Sequence, residues 1–389
     1  MTQSSRIAAV QTPVIPVISR WIAETPGTIS LGQGIVSWGP PPEAIAALHA
    51  FPAAAGDHRY GPVEGVPPLV EALSRKLAGE NGIAPRGNRI VVTAGSNLAF
   101  MNAVLAVADP GDEIVLPSPY YFNHEMAIVM AGCVPVRVAT DDRYQLRIDA
   151  LAAAVTGRTR AIVTVSPNNP TGAIYPERDL RAVNALCRDR GIVHISDEAY
   201  EYFTYGGAAH FSAASIEGAE AWTISLYTLS KAYGMASWRV GYMVVPESLW
   251  DAVNKIQDTL LVCPPHPSQA AAVAALAVGR RWTTERMPAL ARMRDRAFTT
   301  LSAVADVPRA DGAFYYLIRA ATSLDSMGAA EHLIRRHRVA VIPGSAFGVH
   351  EGCALRVSFG ALEEGTAGEG LDRLAAGLKD LGSAKGESL

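Results

Sequence analysis

Seven short runs of apolar, largely β-branched residues recur between about residues 45 and 280: residues 90–92, 113–116, 134–138, 161–165, 192–195, 222–226 and 240–245. Each is too short for a helix and too continuously apolar for a strand with one wet face, so each reads as a strand buried on both sides. Longer amphipathic stretches, such as residues 177–190, separate several of them and carry the 3.6-residue apolar period of a helix. Strand and helix in alternation predict an α/β fold with a mostly parallel seven-stranded sheet covered by helices on both faces. Such sheets place their ligands beyond the carboxyl ends of the strands, so the residues just after each run are where chemistry is expected.

Composition narrows the picture. With 389 residues, 49% hydrophobic and 18% charged, the chain has enough apolar material for a large core. A formal charge of −3 leaves no basic field for nucleic acid or an anionic membrane, and points to a small-molecule ligand. Cys133, Cys187, Cys263 and Cys353 are scattered, without zinc-site spacing, so no metal site is expected and the thiols read as reduced. Pro13 and Pro16 interrupt the first apolar stretch, which therefore lacks the unbroken apolar region of a secretory signal, and the longest apolar run, residues 270–278, is too short to span a bilayer. The expected location is the cytoplasm. A polar tail after Leu381 is expected to fray.

Chemistry gathers after the runs. After residues 222–226 comes Thr228-Leu229-Ser230-Lys231, with Arg239 eight positions beyond the lysine and Val240-Gly241-Tyr242 following. A lysine leaving a strand beside hydroxyls can join a carbonyl compound as a Schiff base while serine and arginine hold a phosphate. A lone lysine in that place would be an ordinary surface residue; the Ser-Lys pair together with Gly234 and Arg-Val-Gly-Tyr is not ordinary. Ile195-Ser196-Asp197-Glu198-Ala199-Tyr200 puts a carboxylate at another strand end, although an isolated Asp-Glu more often caps a helix. Ser166-Pro167-Asn168-Asn169-Pro170-Thr171-Gly172 is a turn. Thr93-Ala94-Gly95-Ser96-Asn97 opens a helix whose free N–H groups form an anion site, or are merely capped by Ser96 or Asn97.

The lysine segment closely resembles the signature of the class I and II aminotransferases, the fold-type I pyridoxal-phosphate enzymes of the aspartate aminotransferase superfamily, and the resemblance extends over nearly the whole chain. It implies a large cofactor-binding domain over residues 45–285, with an N-terminal segment (1–44) and a C-terminal part (286–389) forming a small α/β domain. It implies pyridoxal 5'-phosphate on Lys231, with Asp197 holding the pyridine nitrogen protonated and Tyr200 and Asn169 bonding the phenolic oxygen. Ser96, Asn97, Thr228, Ser230 and Arg239 fall to the phosphate. Pro117-Ser118-Pro119-Tyr120-Tyr121 resembles the segment that supplies the stacked aromatic ring, here Tyr121. Arg59-Tyr60-Gly61-Pro62 resembles the element whose tyrosine reaches the phosphate of a neighbouring subunit, which implies a homodimer. Arg356, in Leu355-Arg356-Val357-Ser358, falls to the substrate α-carboxylate, with Gly34 of Leu31-Gly32-Gln33-Gly34 and Asn169 beside it.

The chain departs from many members directly after that glycine, where Ile35-Val36-Ser37-Trp38 replaces the usual Phe-Pro-Asp-Phe, so specificity does not carry over. Val14, Ile15, Ile35, Val36, Trp38, Tyr121 and His266 would make an apolar, aromatic substrate pocket, with Arg59 the nearest unassigned cation. The expected reaction is ping-pong transfer of an amino group from an aromatic amino acid, methionine or a similar neutral one to a 2-oxo acid. The same scaffold also hosts β-lyases, cyclising synthases, decarboxylases and oxidative deaminases, and a cofactor-sensing domain without catalysis is a further reading. A nucleotide-binding α/β protein is disfavoured, because neither G-x-G-x-x-G nor G-x-x-x-x-G-K-[ST] follows a strand.

Overall fold

The computed structural model describes residues 3–51, 58–84 and 88–383. In chain order the strands are β1 (Ile29–Ser30), β2 (Asn88–Thr93), β3 (Glu113–Ser118), β4 (Val134–Ala139), β5 (Thr159–Val165), β6 (Val193–Asp197), β7 (Thr223–Thr228), β8 (Gly241–Pro246), β9 (Tyr315–Ala320), β10 (Val339–Ala340), β11 (Ile342–Pro343) and β12 (Cys353–Ser358). The seven runs read from the sequence are β2 to β8, and they form one seven-stranded sheet in the order β2-β8-β7-β6-β5-β3-β4. β7, β6, β5, β3 and β4 are mutually parallel. Every residue of β7 and β8 is buried, as read from the sequence, but β4, read as buried on both sides, is mostly not, because it lies at the edge of the sheet with one side unpaired.

One strand runs against the rest. β8 is antiparallel to both β7 and β2. Its first residue, Gly241, therefore pairs with the last residues of its neighbours, Thr93 and Thr228. The reversal brings Arg239, just before β8, to the same edge where the parallel strands end. A side chain at Gly241 would not fit, because a Cβ there would lie 2.7 Å from the carbonyl carbon of Gly95 and 2.8 Å from the Ser96 amide nitrogen.

A second, antiparallel sheet in the order β11-β12-β9 carries Arg356 at its centre, opposite Ile342 and Leu317. The chain's beginning is sewn to it. β1 pairs in parallel with β10, and the Ser358 N–H donates to the Leu31 carbonyl at 2.7 Å. Helices Met287–Ser302, Ser326–His337 and Glu364–Ser383 cover this sheet with buried leucines, isoleucines and alanines, in the same core as Tyr200, Phe203 and Tyr315. The last helix continues two residues past Leu381 to Ser383; the rest of the tail expected to fray, residues 384–389, lies outside the described residues. Among the described residues no helix is long and apolar enough to cross a membrane.

Candidate active site

The carboxyl ends of β2, β3, β5, β6 and β7, the start of β8, the Gln33–Gly34 segment and Arg356 of β12 enclose one cavity of about 220 Å³. Along the sheet the order of connection reverses between β3 and β5, the place where doubly wound sheets open a crevice.

One wall is built for an anion. Helix Ser96–Val107 begins here, and Gly95 before it takes φ 84°, a left-handed conformation that glycine adopts without strain. The first N–H groups of that helix have no intrahelical acceptor. Arg239 lies against Gly95 so closely that a Cβ there would be 2.4 Å from its Nη2, and its guanidinium donates to the carbonyls of Ala236 (3.0 Å) and Ala94 (3.1 Å). Thr228 donates to the Ser230 hydroxyl at 2.9 Å and accepts from the Ser230 N–H at 3.1 Å, fixing both hydroxyls at the cavity edge.

Asp197 lies at the end of β6 and is buried. One carboxylate oxygen accepts from the Ala199 N–H at 3.0 Å, and the other lies 3.0 Å from His124 Nε2. His124 is itself locked: its ring stacks on Phe100 with centroids 4.0 Å apart, and Tyr121 meets it edge-on at 5.2 Å. The carboxylate is thus held in one orientation in a buried place. Lys231 also lines the cavity, its amine donating to the Gly34 carbonyl at 2.5 Å. Burial, with the Arg356 and Arg239 charges added, pulls its pKa down to about 8 despite the opposing pull of Asp197. The free amine, the form that attacks carbonyls and accepts protons, therefore becomes the major species above about pH 8.

Opposite lies a hydrogen-bonded chain. Asn169 donates to the Tyr200 hydroxyl at 3.3 Å and accepts from Arg356 at 2.9 Å, while a second Arg356 nitrogen donates to the Gly32 carbonyl at 2.6 Å. Tyr200 and Tyr315 share a hydrogen bond of 2.9 Å between their hydroxyls. Burial, with Tyr315 beside it, raises the Tyr200 pKa well above its ordinary value, so its hydroxyl remains a donor. Arg356 is 2% exposed, lies over the Tyr315 ring at 4.6 Å, and keeps one buried N–H, at Nε, without an acceptor among the described residues. A buried charged donor left open in a cavity wall is a place for an anionic ligand.

Twelve of the residues singled out from sequence line this cavity together: Gly34, Ser96, Asn97, Tyr121, Asn169, Asp197, Tyr200, Thr228, Ser230, Lys231, Arg239 and Arg356. Two do not. Trp38 turns aside: its indole N–H donates to the Ala232 carbonyl at 3.3 Å, its ring stacks on Phe203, and it borders a separate cavity with Arg286, Leu290 and Met293. Tyr60 is 84% exposed. Of the residues expected around a substrate side chain, Ile15 lines the cavity, Val14 and Val36 are packed into the core, Ile35 is exposed, and His266 packs against Gly61. Sequence reasoning missed His124 and Tyr315. The signal for His124 was its place in the first turn of the helix after the Pro-Ser-Pro turn, and that for Tyr315 the Phe314-Tyr315-Tyr316 run at the start of β9.

Comparison with known proteins accords with this geometry. A family model described as aminotransferase class I and II matches residues 26–374. An aromatic aminotransferase of Arabidopsis thaliana is 36% identical, with 97% of this chain aligned to 96% of that protein. A probable aspartate/prephenate aminotransferase of Aquifex aeolicus is 36% identical over 84% of this chain and 85% of its own length. Among solved structures, an aspartate aminotransferase from Thermus thermophilus with maleate superposes with a TM-score of 0.89 at 30% identity, covering 97% of this chain and 100% of that one. An aromatic aminotransferase from Pyrococcus horikoshii gives a TM-score of 0.84 at 33% identity, covering 93% and 99%.

Proposed function

The chain belongs to the class I and II aminotransferases, and from that premise we propose that it holds pyridoxal 5'-phosphate on Lys231 and moves the amino group of a neutral, preferably aromatic or thioether, L-amino acid to a 2-oxo acid. The observation that carries this reading is the convergence of Lys231, Asp197 and Arg356 on one cavity beside the anion wall of Ser96, Asn97, Ser230, Thr228 and Arg239. The residues fit the cofactor: a low-pKa amine, a buried carboxylate, and an open helix start after Gly95, against which Gly241 of β8 packs with no room for a side chain.

When bound, pyridoxal phosphate supplies an electron sink for the bond-breaking at the substrate Cα and a carrier for the amino group. Asp197 contributes a fixed negative charge that favours a protonated ring nitrogen beside it. Tyr200 and Asn169 offer hydrogen bonds to a phenolic oxygen, and Tyr121 an aromatic face. Arg356 grips the α-carboxylate through its open donor and fixes which Cα bond faces Lys231. Lys231, as a free amine near pH 8, takes and returns the Cα proton. Amino acid and 2-oxo acid occupy the one cavity in turn, so the kinetics are ping-pong. Tyr60, exposed on the single chain, reaches a second subunit's site in this reading, which makes the working unit a homodimer; a cytoplasmic location and the division at residues 44 and 285 belong to the same reading.

The purified protein should be yellow, and borohydride should fix the cofactor to a single peptide containing Lys231. Capture of added cofactor by the stripped protein should accelerate as pH rises through about 8, because the reactive form is the neutral amine. Label on another lysine, or no visible absorbance after cofactor is added, would overturn the assignment.

Selectivity follows from charge. The cations lining the cavity are Lys231, Arg239 and Arg356, each already given a role, while Ile15, Phe122 and Val165 contribute apolar surface. A distal carboxylate would be buried unpaired there, at a cost of several kcal/mol, whereas an apolar side chain gains roughly 1.5–3 kcal/mol. Phenylalanine, tyrosine, tryptophan or methionine should therefore exceed aspartate as donors by about tenfold or more in kcat/KM. Several relatives bear the name aspartate aminotransferase, so competing donors with a common acceptor are the decisive comparison. An aspartate preference abolished by Arg59→Ala would show a dicarboxylate pocket shared with the segment around Tyr60.

A further inference from the structure

Two histidines and an aspartate, none of which lines the cavity, meet near the surface. His332 and His337 lie on helix Ser326–His337, and Asp380 on helix Glu364–Ser383. Both imidazoles direct Nε2 at the same carboxylate oxygen, Oδ2 of Asp380, each at 3.0 Å, and the three ligand atoms lie within 4.8 Å of one another. We propose that His332, His337 and Asp380 bind one borderline divalent cation, Zn²⁺ above all, which clasps the last helix to helix Ser326–His337.

The geometry suits that ion. Zinc takes imidazole nitrogen and carboxylate oxygen at about 2.0–2.2 Å in a tetrahedron, whose ligand atoms are then about 3.3 Å apart. The two 3.0 Å sides already present need only a small spreading to admit the ion. The fourth position faces solvent, since the side chains are 29%, 22% and 55% exposed, and water can fill it. Two imidazoles with one carboxylate select zinc or a neighbouring transition metal over calcium or magnesium, which want oxygen alone.

Two features of the helices favour positive charge at this place. Asp380 lies in the last turn of its helix, where the helix dipole disfavours a carboxylate unless positive charge accompanies it. His337 is the last residue of the other helix, whose carbonyl end favours positive charge. The helices approach closely at Gly377, where a Cβ would be 2.4 Å from Leu333 and 3.1 Å from the His337 ring, and Asp380 follows one turn on along the same face. Two arginines on these helices have other partners: Arg335 pairs with Glu331 and Glu24, and Arg373 with Glu369 and two carbonyls.

Isothermal titration of the tag-free holoenzyme with Zn²⁺ should find one equivalent per chain, with His332→Gln and Asp380→Asn each weakening binding by about tenfold or more. Excess Zn²⁺ should raise the melting temperature of the wild type by about 2–4 °C and leave that of either variant unmoved. His332→Gln is at a half-buried side chain and Asp380→Asn at an exposed one, and the cofactor's visible absorbance checks that each variant is folded. Absence of binding at 100-fold excess Zn²⁺, or binding that survives both substitutions, would overturn the proposal.

Discussion

Replacing Lys231 by alanine should lower kcat/KM by about four powers of ten or more, close to 5.5 kcal/mol of transition-state free energy. The variant should stay folded, because the side-chain hydrogen bond that the lysine makes among the described residues is to the Gly34 carbonyl, at an open cavity wall where water can replace it. The size follows from two losses, the covalent tether and the base facing Cα. Lys231→Arg separates these from simple charge. Arginine keeps the cation next to Asp197, but its guanidinium is never neutral and cannot exchange a proton near pH 8. If Lys231 acts as an amine, Lys231→Arg is as inactive as Lys231→Ala. If it serves only as a positive charge, the arginine variant recovers most of the activity, and the role assigned to the free amine fails. Single-turnover rates with a fixed donor would measure this without interference from product release.

The strands were legible because each of β2 to β8 contains a short apolar run bounded by turn residues, and in the central strands burial on both faces erases the alternation that would otherwise mark a strand. Their directions were not. Nothing in residues 240–245 says that β8 runs against β7, yet that reversal is what delivers Arg239 to the strand ends. The second sheet was visible only as the segment around Arg356, since β11 is two residues long and β9 owes its place to pairing with β12. Among site residues, those embedded in short rigid segments, such as Ser230-Lys231 or Asn169-Pro170, could be read directly. Tyr315 could not: it is 115 positions from Tyr200, and the hydrogen bond between them exists only because the two sheets meet. His124 was hidden for the same reason, an apolar-looking helix face that turns one imidazole toward Asp197. Trp38 shows the opposite error. An aromatic residue next to the Gly34 segment looks like a pocket wall, but its N–H found the Ala232 carbonyl and its ring found Phe203.

Asp197 offers the sharpest test of the site's electrostatics. Its carboxylate is 4% exposed and held by the Ala199 N–H and by His124, so it is a preorganised charge that does not need to reorient during reaction. Asp197→Ala should fold and take up cofactor but lose transamination by several powers of ten, each worth about 1.4 kcal/mol of barrier. The alanine variant also strands His124 Nε2 in a buried place, a cost of about 1–3 kcal/mol in stability, so a lowered melting temperature accompanies the lost activity. Asp197→Asn removes that ambiguity. The amide has the same shape and can still accept from the Ala199 N–H and meet His124, leaving stability nearly unchanged, but it carries no charge. If the charge is what matters, Asp197→Asn falls within about tenfold of Asp197→Ala in kcat while melting close to wild type. An asparagine variant within tenfold of wild type would mean that the carboxylate holds His124 and the turn at Ala199 in place and contributes nothing to the electron sink.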